Sequence, residues 1–294
     1  MQTPLKILVA TDFSAASERA LATALAIAAP AHAEVQLIHA LEVIAPPAMP
    51  YAVSIPDDLV SDARAAARRK LEESLRKVRS RGLTGDTCLG SMPAAHAIAA
   101  RAKQAGADLV VVGSRGHTGL KRLALGSVAE NTVKDSPVSV LTVRGEGHAE
   151  APKTIVVATD FSASAAGAVA LAADWARAFG AQLHLVNALQ LTMPFLAPYE
   201  VTVPDAYIDQ SYSEARKKLE ALAAQLAGVA VHPTVIAAAP HDAIDTLAER
   251  VKADLIVTGS RGLSGVKHAL LGSVAERTLR HAPCSVLTVK ALLG

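Results

Sequence analysis

The sequence predicts an α/β protein built from two copies of a doubly wound sandwich, each with a five-stranded parallel sheet. Short runs of branched apolar residues alternate with alanine-rich segments of helical spacing, the arrangement from which right-handed βαβ units are built. The runs are continuous rather than alternating, which is typical of strands covered on both faces. The length of 294 residues suits two domains of about 150 residues each.

The second half of the chain repeats the first. Lys6 to Ser14 reads KILVATDFS, and residues 154–162 read TIVVATDFS. Asp108 to Val143 returns as Asp254 to Val289, with Gly-Ser-Arg-Gly and Gly-Ser-Val-Ala-Glu in both copies. The repeat is far longer than the 20–50 residues of solenoid repeats, so each copy is predicted to be a complete globular domain.

The predicted domains are residues 1–146 and 147–294, joined by the polar linker Arg144 to Pro152.

Charge is nearly balanced, with 29 basic and 27 acidic residues, and aromatic residues make up 3%. This composition gives little support to nucleic-acid binding, which uses basic surfaces and aromatic stacking. The longest near-apolar stretch, Leu21 to Ala29, is well short of the ~18 residues of a membrane-spanning helix. No export signal is recognisable at the N-terminus, so we expect a cytoplasmic protein.

The apolar runs place the strands in chain order. In the first copy they are Ile7 to Ala10, Val35 to Ile38, Leu109 to Val112 and Val138 to Val143. In the second copy they are Ile155 to Ala158, Leu183 to Val186, Val235 to Ala238, Leu255 to Thr258 and Val286 to Val289.

A proline-rich loop follows the second strand of each copy, at Ile44 to Pro56 and at Leu191 to Pro204. The next helices are predicted to begin near Asp57 and Asp205. Both start with acidic residues and become basic further along, the polarity that a helix dipole favours.

A glycine loop with the same spacing follows the fourth strand of both copies. The pattern is Gly-x-x-Gly, nine residues, then Gly-Ser, formed by Gly113, Gly116, Gly126 and Ser127 in one copy and by Gly259, Gly262, Gly272 and Ser273 in the other. Glycines at the end of a strand let the backbone approach a ligand, and the N-terminus of the next helix offers N–H groups and a positive dipole end to phosphate. The loops therefore predict a nucleotide polyphosphate site.

Two structural interpretations stay open beside this one. Ser-Val-Ala-Glu, from Ser127 and from Ser273, matches a helix capping box, and the glycines could serve turns alone. The dinucleotide and P-loop phosphate motifs are absent, since Leu120 rather than Lys follows Gly119.

The glycine pattern, the Ala-Thr-Asp-Phe-Ser start and the Ser-Val-Leu-Thr-Val end of each copy resemble the universal stress protein family, as a tandem protein of its ATP-binding branch. The resemblance implies an adenine nucleotide α-hydrolase-like sheet of order 3-2-1-4-5. Its ligand crevice then lies between strands one and four, beyond their carboxyl ends. It also implies that the fifth strands of the two copies pair as an intrachain pseudo-dimer, and a further homodimer is compatible with it.

By resemblance, the glycines and serines of the two loops contact phosphates and ribose. Asp12 and Asp160 match the carboxylate near the nucleoside, which could accept a hydrogen bond or reach a phosphate-bound Mg²⁺ through water; the alternative role is capping of the next helix. Ala40 and Ala188 match the position whose backbone contacts adenine, although an error of one residue would select Leu41 and Leu189.

Arg115 and Arg261 lie within the glycine loops, where a guanidinium could pair with phosphate or point to solvent. His39 becomes Asn187 in the second copy, so a packed or hydrogen-bonded polar side chain is a better interpretation of this position than a shared catalytic histidine. No catalytic residue is predicted, and no direct metal ligand.

Three functions follow for testing. The first is a cytoplasmic stress-response protein that binds ATP, with or without Mg²⁺, and changes its interactions with signalling or stress-response proteins. The second is a slow ATPase or a nucleotidyl-transfer enzyme, although the Ser-Gly-Gly-x-Asp-Ser and His-x-Gly-His motifs are absent. The third is a chaperone-like or lipid-binding interaction protein whose glycine loops are vestigial.

Overall fold

The computed structural model describes residues 5–42, 55–115, 125–145, 150–190, 203–260 and 271–290. The chain divides into two compact units, Met1–Ala151 and Pro152–Gly294, hereafter unit 1 and unit 2. This division falls later in the chain than residue 146, where the repeat places it.

Unit 1 is a parallel sheet whose strands alternate with helices. Its elements are β1 (Lys6–Ala10), α1 (Ala15–Ala31), β2 (Glu34–Ala40), α2 (Asp57–Arg79), β3 (Gly85–Gly90), α3 (Ala94–Ala105), β4 (Leu109–Gly113), α4 (Ser127–Asp135) and β5 (Ser139–Val143). The strands lie in the order β3-β2-β1-β4-β5 and every neighbouring pair is parallel.

Unit 2 repeats this architecture. Its elements are β6 (Thr154–Ala158), α5 (Ala163–Phe179), β7 (Gln182–Ala188), α6 (Asp205–Ala224), β8 (Val231–Ile236), α7 (Pro240–Val251), β9 (Leu255–Gly259), α8 (Ser273–His281) and β10 (Ser285–Val289). The strand order β8-β7-β6-β9-β10 is again 3-2-1-4-5 within the copy, with parallel pairs throughout. Both the fold class and the strand order are thereby confirmed.

The central strands are buried on both faces, as their continuous apolar runs predict. Leu8 and Val9 in β1, and Val156 and Val157 in β6, are completely inaccessible to solvent. Small side chains let the covering helices approach closely: Ala20, Ala24 and Ala28 repeat every four residues along α1 and are fully buried against the sheet. The alanine excess of the sequence is therefore a packing feature of these sandwiches.

One predicted strand is wrong in position. The apolar run predicts a strand at Val235 to Ala238, whereas β8 spans Val231–Ile236 and contains His232 and Pro233. Among the described strands of its unit β8 pairs only with β7, and an edge strand tolerates a proline because one side of it forms no ladder. The exposed face of an edge strand also needs no continuous apolar run.

The helices after the predicted proline-rich loops begin at Asp57 and Asp205, as predicted. Most of each predicted loop, Ile44 to Pro56 and Leu191 to Pro204, lies outside the described residues. No helix within the described ranges has the combination of length and apolar character needed to cross a membrane.

Candidate functional site

A cavity lies beyond the carboxyl ends of the central strands of each unit. In unit 1 it measures about 140 Å³, and the predicted site residues that line it are Asp12, Ala40, Gly113, Arg115, Gly126 and Ser127. In unit 2 it measures about 400 Å³, and the corresponding residues are Asp160, Ala188, Gly259, Gly272 and Ser273. The remaining predicted residues, Gly116, Arg261 and Gly262, lie outside the described part of the chain. We call these cavities pocket 1 and pocket 2.

The topology explains why residues so distant in sequence meet at one place. In unit 1, β1 is flanked by β2 on one side and by β4 on the other. The chain leaves β1 toward β2 and leaves β4 toward β5, in opposite directions, so a crevice opens between β1 and β4 at their carboxyl ends. Asp12 follows β1, whereas Gly113 ends β4. The crevice of unit 2 has the same origin, between β6 and β9.

Asp12 and Asp160 are held by the turn that leads into the next helix. An oxygen of each carboxylate accepts the N–H of the residue two positions later, Ser14 or Ser162, at 3.0 Å. Those serines, and not the aspartates, are the N-caps of α1 and α5. The alternative role of the aspartates as helix caps is therefore wrong, although each one orders the capping residue.

The same turn contains a strained aromatic residue. Phe13 and Phe161 have φ angles of 63° and 62°, a left-handed conformation that bulky residues rarely adopt. Their N–H groups donate to the hydroxyls of Thr11 and Thr159 at 3.0 Å. Both threonines line the pockets, and the repeated Thr-Asp-Phe-Ser was the only sequence signal that could have identified them.

The N-termini of α4 and α8 open on the pockets. Their N-caps are Gly126 and Gly272, while Ser127 and Ser273 are the first helical residues. The capping-box interpretation is therefore wrong, because the helix begins one residue earlier than it requires. No side chain among the described residues caps either helix, so the first N–H groups and the positive end of the dipole face the cavity.

Gly113 and Gly126, which flank the glycine loop of unit 1, are glycines for different reasons. A Cβ on Gly113 would lie 2.9 Å from backbone atoms of Ala16, so close packing of α1 excludes any side chain there. A Cβ on Gly126 would meet only ordinary contacts, at 3.4 Å or more, and its φ of −72° is open to any residue. The fold itself does not require glycine at position 126.

The second strand contributes Ala40 and Ala188 rather than their neighbours. Both alanines line the pockets. The N–H of Leu41 donates to Gly90 and that of Leu189 to Ile236, so these groups belong to the sheet ladder and are not available to a ligand. The structure thus places positions 40 and 188, and not 41 and 189, at the cavities.

His39 and Asn187 occupy equivalent places and make the same hydrogen bond. His39 Nδ1 lies 2.8 Å from the carbonyl oxygen of Thr11, and Asn187 Nδ2 donates to that of Thr159, also at 2.8 Å. A carbonyl oxygen only accepts, so Nδ1 of His39 carries a proton. The prediction of a hydrogen-bonded polar side chain is confirmed for both.

The described residues contain no group of three or more His, Cys, Asp or Glu side chains that could hold a metal ion.

A model of the universal stress protein family matches residues 5–144 and again residues 152–290. Over nearly the whole chain, the sequence is 30% identical to a universal stress protein of Mycolicibacterium smegmatis, covering 97% of this chain and 96% of that protein. It is 36% identical to universal stress protein MJ0531 of Methanocaldococcus jannaschii, over 47% of this chain and 82% of that protein. Among solved structures, a universal stress protein from Archaeoglobus fulgidus has the same fold, with a TM-score of 0.72 at 22% identity, covering 99% of this chain and 100% of that one.

Proposed function

The chain belongs to the universal stress protein family, and we propose that each of its two units binds an adenine nucleotide, ATP in the first place, in its own pocket. In this proposal the protein is a cytoplasmic stress-response module whose interactions with partner proteins depend on nucleotide occupancy. Family membership and the repeated glycine pattern support the choice of nucleotide. The pairing of the two units as a pseudo-dimer stays a prediction from the resemblance.

The observation that carries the proposal is the uncapped helix N-terminus behind each pocket. Backbone N–H groups at the start of α4 and α8 face a cavity that a strand-end glycine also lines. Such an arrangement binds phosphate without a basic surface, which agrees with a net charge of only +2. Gly126 adds a second point in support, because close approach of a ligand explains a glycine that the fold does not require.

The remaining walls suit the nucleoside part of the ligand. In pocket 2, Val186, Ala188 and Ile244 supply apolar surface, while Asp160 lies in the turn after the neighbouring strand β6. An aspartate at this place could accept a hydrogen bond from a ribose hydroxyl. A Mg²⁺ ion carried by the phosphates would suit the same carboxylate, since Mg²⁺ is commonly held by one or two carboxylates together with substrate phosphates.

Replacing Ser127 and Ser273 by aspartate tests the phosphate site without weakening the helices. An acidic residue in the first turn stabilises a helix, but its charge would repel a phosphate at about 4 Å by roughly 1–4 kcal/mol. We expect the S127D/S273D variant to lose at least about fivefold in ATP affinity by isothermal titration calorimetry. The matched control is S127N/S273N, which has the same shape without the charge and should bind several-fold more tightly than the aspartate variant.

Equal ATP affinity in wild type and S127D/S273D would contradict this location of the site. Absence of binding in wild type, together with absence of adenine nucleotide in the denatured purified protein, would favour the interaction protein with vestigial loops. A turnover assay on the wild-type protein then separates a nucleotide sensor from a slow ATPase.

A further inference from the structure

We infer that the two pockets are unequal, and that pocket 2 is the tighter adenine-nucleotide site of the chain. This inference rests on the proposed function and adds an order of occupancy to it. The cavities differ in volume, about 140 Å³ in pocket 1 and about 400 Å³ in pocket 2. At three pairs of equivalent lining residues the side chain is smaller in pocket 2, which agrees with the direction of this difference, and two of these exchanges also change the hydrogen bonds offered to a ligand.

The lining side chains of pocket 2 are smaller at these three positions. Ser17, Ile38 and His39 line pocket 1, whereas Ala165, Val186 and Asn187 line pocket 2. Each exchange removes atoms from the wall: a hydroxyl, a methylene group and part of an aromatic ring. The opposite exchange, Ala94 to Pro240, adds only a small ring at the rim of pocket 2.

The exchange of Ser17 for Ala165 also releases a hydrogen-bond donor. In unit 1, Thr11 donates its hydroxyl proton to Ser17 Oγ at 3.1 Å, and Ser17 in turn donates to the carbonyl oxygen of Ser14 at 3.0 Å. In unit 2, Thr159 Oγ1 accepts the Phe161 N–H, but Ala165 offers no oxygen to its proton. Among the described residues Thr159 donates to no group.

Thr159 therefore brings an unused donor to pocket 2. The residue is only 5% exposed and lines the cavity, so solvent reaches its hydroxyl through the pocket. A ligand acceptor that replaces water at this donor adds one hydrogen bond, with the modest net gain that is usual for such a bond. The Thr11 hydroxyl in pocket 1 is already satisfied and gains nothing in this way.

The exchange of His39 for Asn187 acts in the same direction. Asn187 uses one of its two N–H donors on Thr159, which leaves a second donor and the amide oxygen. An amide with one donor and one acceptor matches the N6 and N7 edge of adenine. His39 has used its Nδ1 donor on Thr11, and its ring packs on the ring of Phe13 with the centroids 4.5 Å apart.

Single-pocket variants measure the two affinities separately. S127D leaves only pocket 2 open to phosphate, and S273D leaves only pocket 1. Thr159 and Asn187 together offer up to three additional neutral hydrogen bonds; two of them, each typically worth a few-fold in affinity, predict that S127D binds ATP roughly tenfold more tightly than S273D in calorimetry. The matched controls S127N and S273N report effects of side-chain size at each position.

Exchanging the lining residues tests the cause. In the S127D background, A165S/N187H gives pocket 2 the side chains of pocket 1 and should weaken ATP binding several-fold. In the S273D background, S17A/H39N should strengthen it by a similar factor, and thermal unfolding should show that both variants are folded. Equal affinities of S127D and S273D, or tighter binding by S273D, would overturn the inference but leave the proposed function intact. No ATP binding by wild type would overturn the proposed function itself.

Discussion

Asp160 combines two roles that substitutions can separate. Its carboxylate accepts the N–H of Ser162 and so orders the start of α5, and it also lines pocket 2. Asparagine retains an oxygen that can accept the same N–H, whereas alanine does not. The structural role therefore depends on an oxygen, while a role with Mg²⁺ depends on the charge.

We expect Asp160→Ala to lower the free energy of unfolding by about 1 kcal/mol, the usual value of such a hydrogen bond, and Asp160→Asn to leave it nearly unchanged. If the carboxylate acts through a phosphate-bound cation, Asp160→Asn will also abolish the dependence of ATP affinity on Mg²⁺. Urea unfolding and calorimetry, with and without Mg²⁺, measure the two effects. Equal destabilisation by both substitutions would refute the separation of roles.

At the scale of elements, the packing of α7 against α8 buries an ionisable group. Burial raises the pKa of Asp245, on α7, to about 6; His241 and His281 oppose this rise, whereas Glu249 and Asp242 add to it. One oxygen of Asp245 is buried without a hydrogen-bond partner in the described part of the chain. The folded protein therefore holds the proton of this carboxyl more tightly than the unfolded chain does.

This raised pKa makes stability fall as pH rises. Between about pH 4 and pH 6 the folded state retains a proton that the unfolded state has released, and above pH 6 the full cost remains. Because Asp245 is only half-buried, we discount that cost to about 1 kcal/mol. Asp245→Asn should stabilise the protein by this amount at pH 7.5 and by much less at pH 4.5, measured by urea unfolding. The exposed Asp242→Asn on the same helix is the control, and an Asp245→Asn effect that is independent of pH would argue against the mechanism.

A pair of histidines on strands β7 and β8 makes stability depend on pH in the opposite direction. His184 stacks on its cross-strand partner His232, with ring centroids 4.8 Å apart. Burial first, then the charges of His232 and Arg250, lower the pKa of His184. Protonation is therefore more favourable in the unfolded chain, and stability from this pair is present above about pH 6.5 and lost as pH falls.

Replacing His184 by glutamine tests this pair with a residue the fold already accepts. Unit 1 has Gln36 at the equivalent position, paired with Asp86 on β3. We expect His184→Gln to lose less stability than wild type between pH 7.5 and pH 5 in thermal unfolding. His32→Gln, at the end of α1 in unit 1, controls for the removal of one imidazole. The interpretation fails if His184→Gln and wild type have parallel pH profiles.

Sequence patterns predicted the central elements well and the element ends poorly, for a physical reason. A strand buried on both faces must be apolar throughout, so β1, β4, β6 and β9 can be recognised from the sequence. The edge strand β8 has no such constraint, and because of its His-Pro pair the predicted strand was placed too late in the chain, at Val235 to Ala238. The N-cap glycines were missed because capping depends on where a helix starts, and Gly-Ser-Val-Ala-Glu permits two starts that differ by one residue.

At the scale of the whole molecule, the described part of each unit contains five strands, the helices that cover them and the pocket named above. All described lining residues of pocket 1 belong to unit 1, and all those of pocket 2 belong to unit 2. Nucleotide binding at one pocket therefore needs no residue that the described part of the other unit supplies. Unequal affinities would then give three populated states as ATP rises: empty, unit 2 occupied, and both occupied.

This predicts a local response that hydrogen exchange can follow in the full-length protein. A ligand at about 100 times its Kd stabilises the state that binds it by about 2.7 kcal/mol. With ATP at such a concentration, S127D should gain amide protection in β6, β9 and α8, and S273D in β1, β4 and α4, each variant without change in its other unit. The S127D/S273D variant gives the baseline. Protection that spreads in S127D from unit 2 into β1 and β4 would contradict independent pockets, because it would require coupling between the two units through the rest of the molecule.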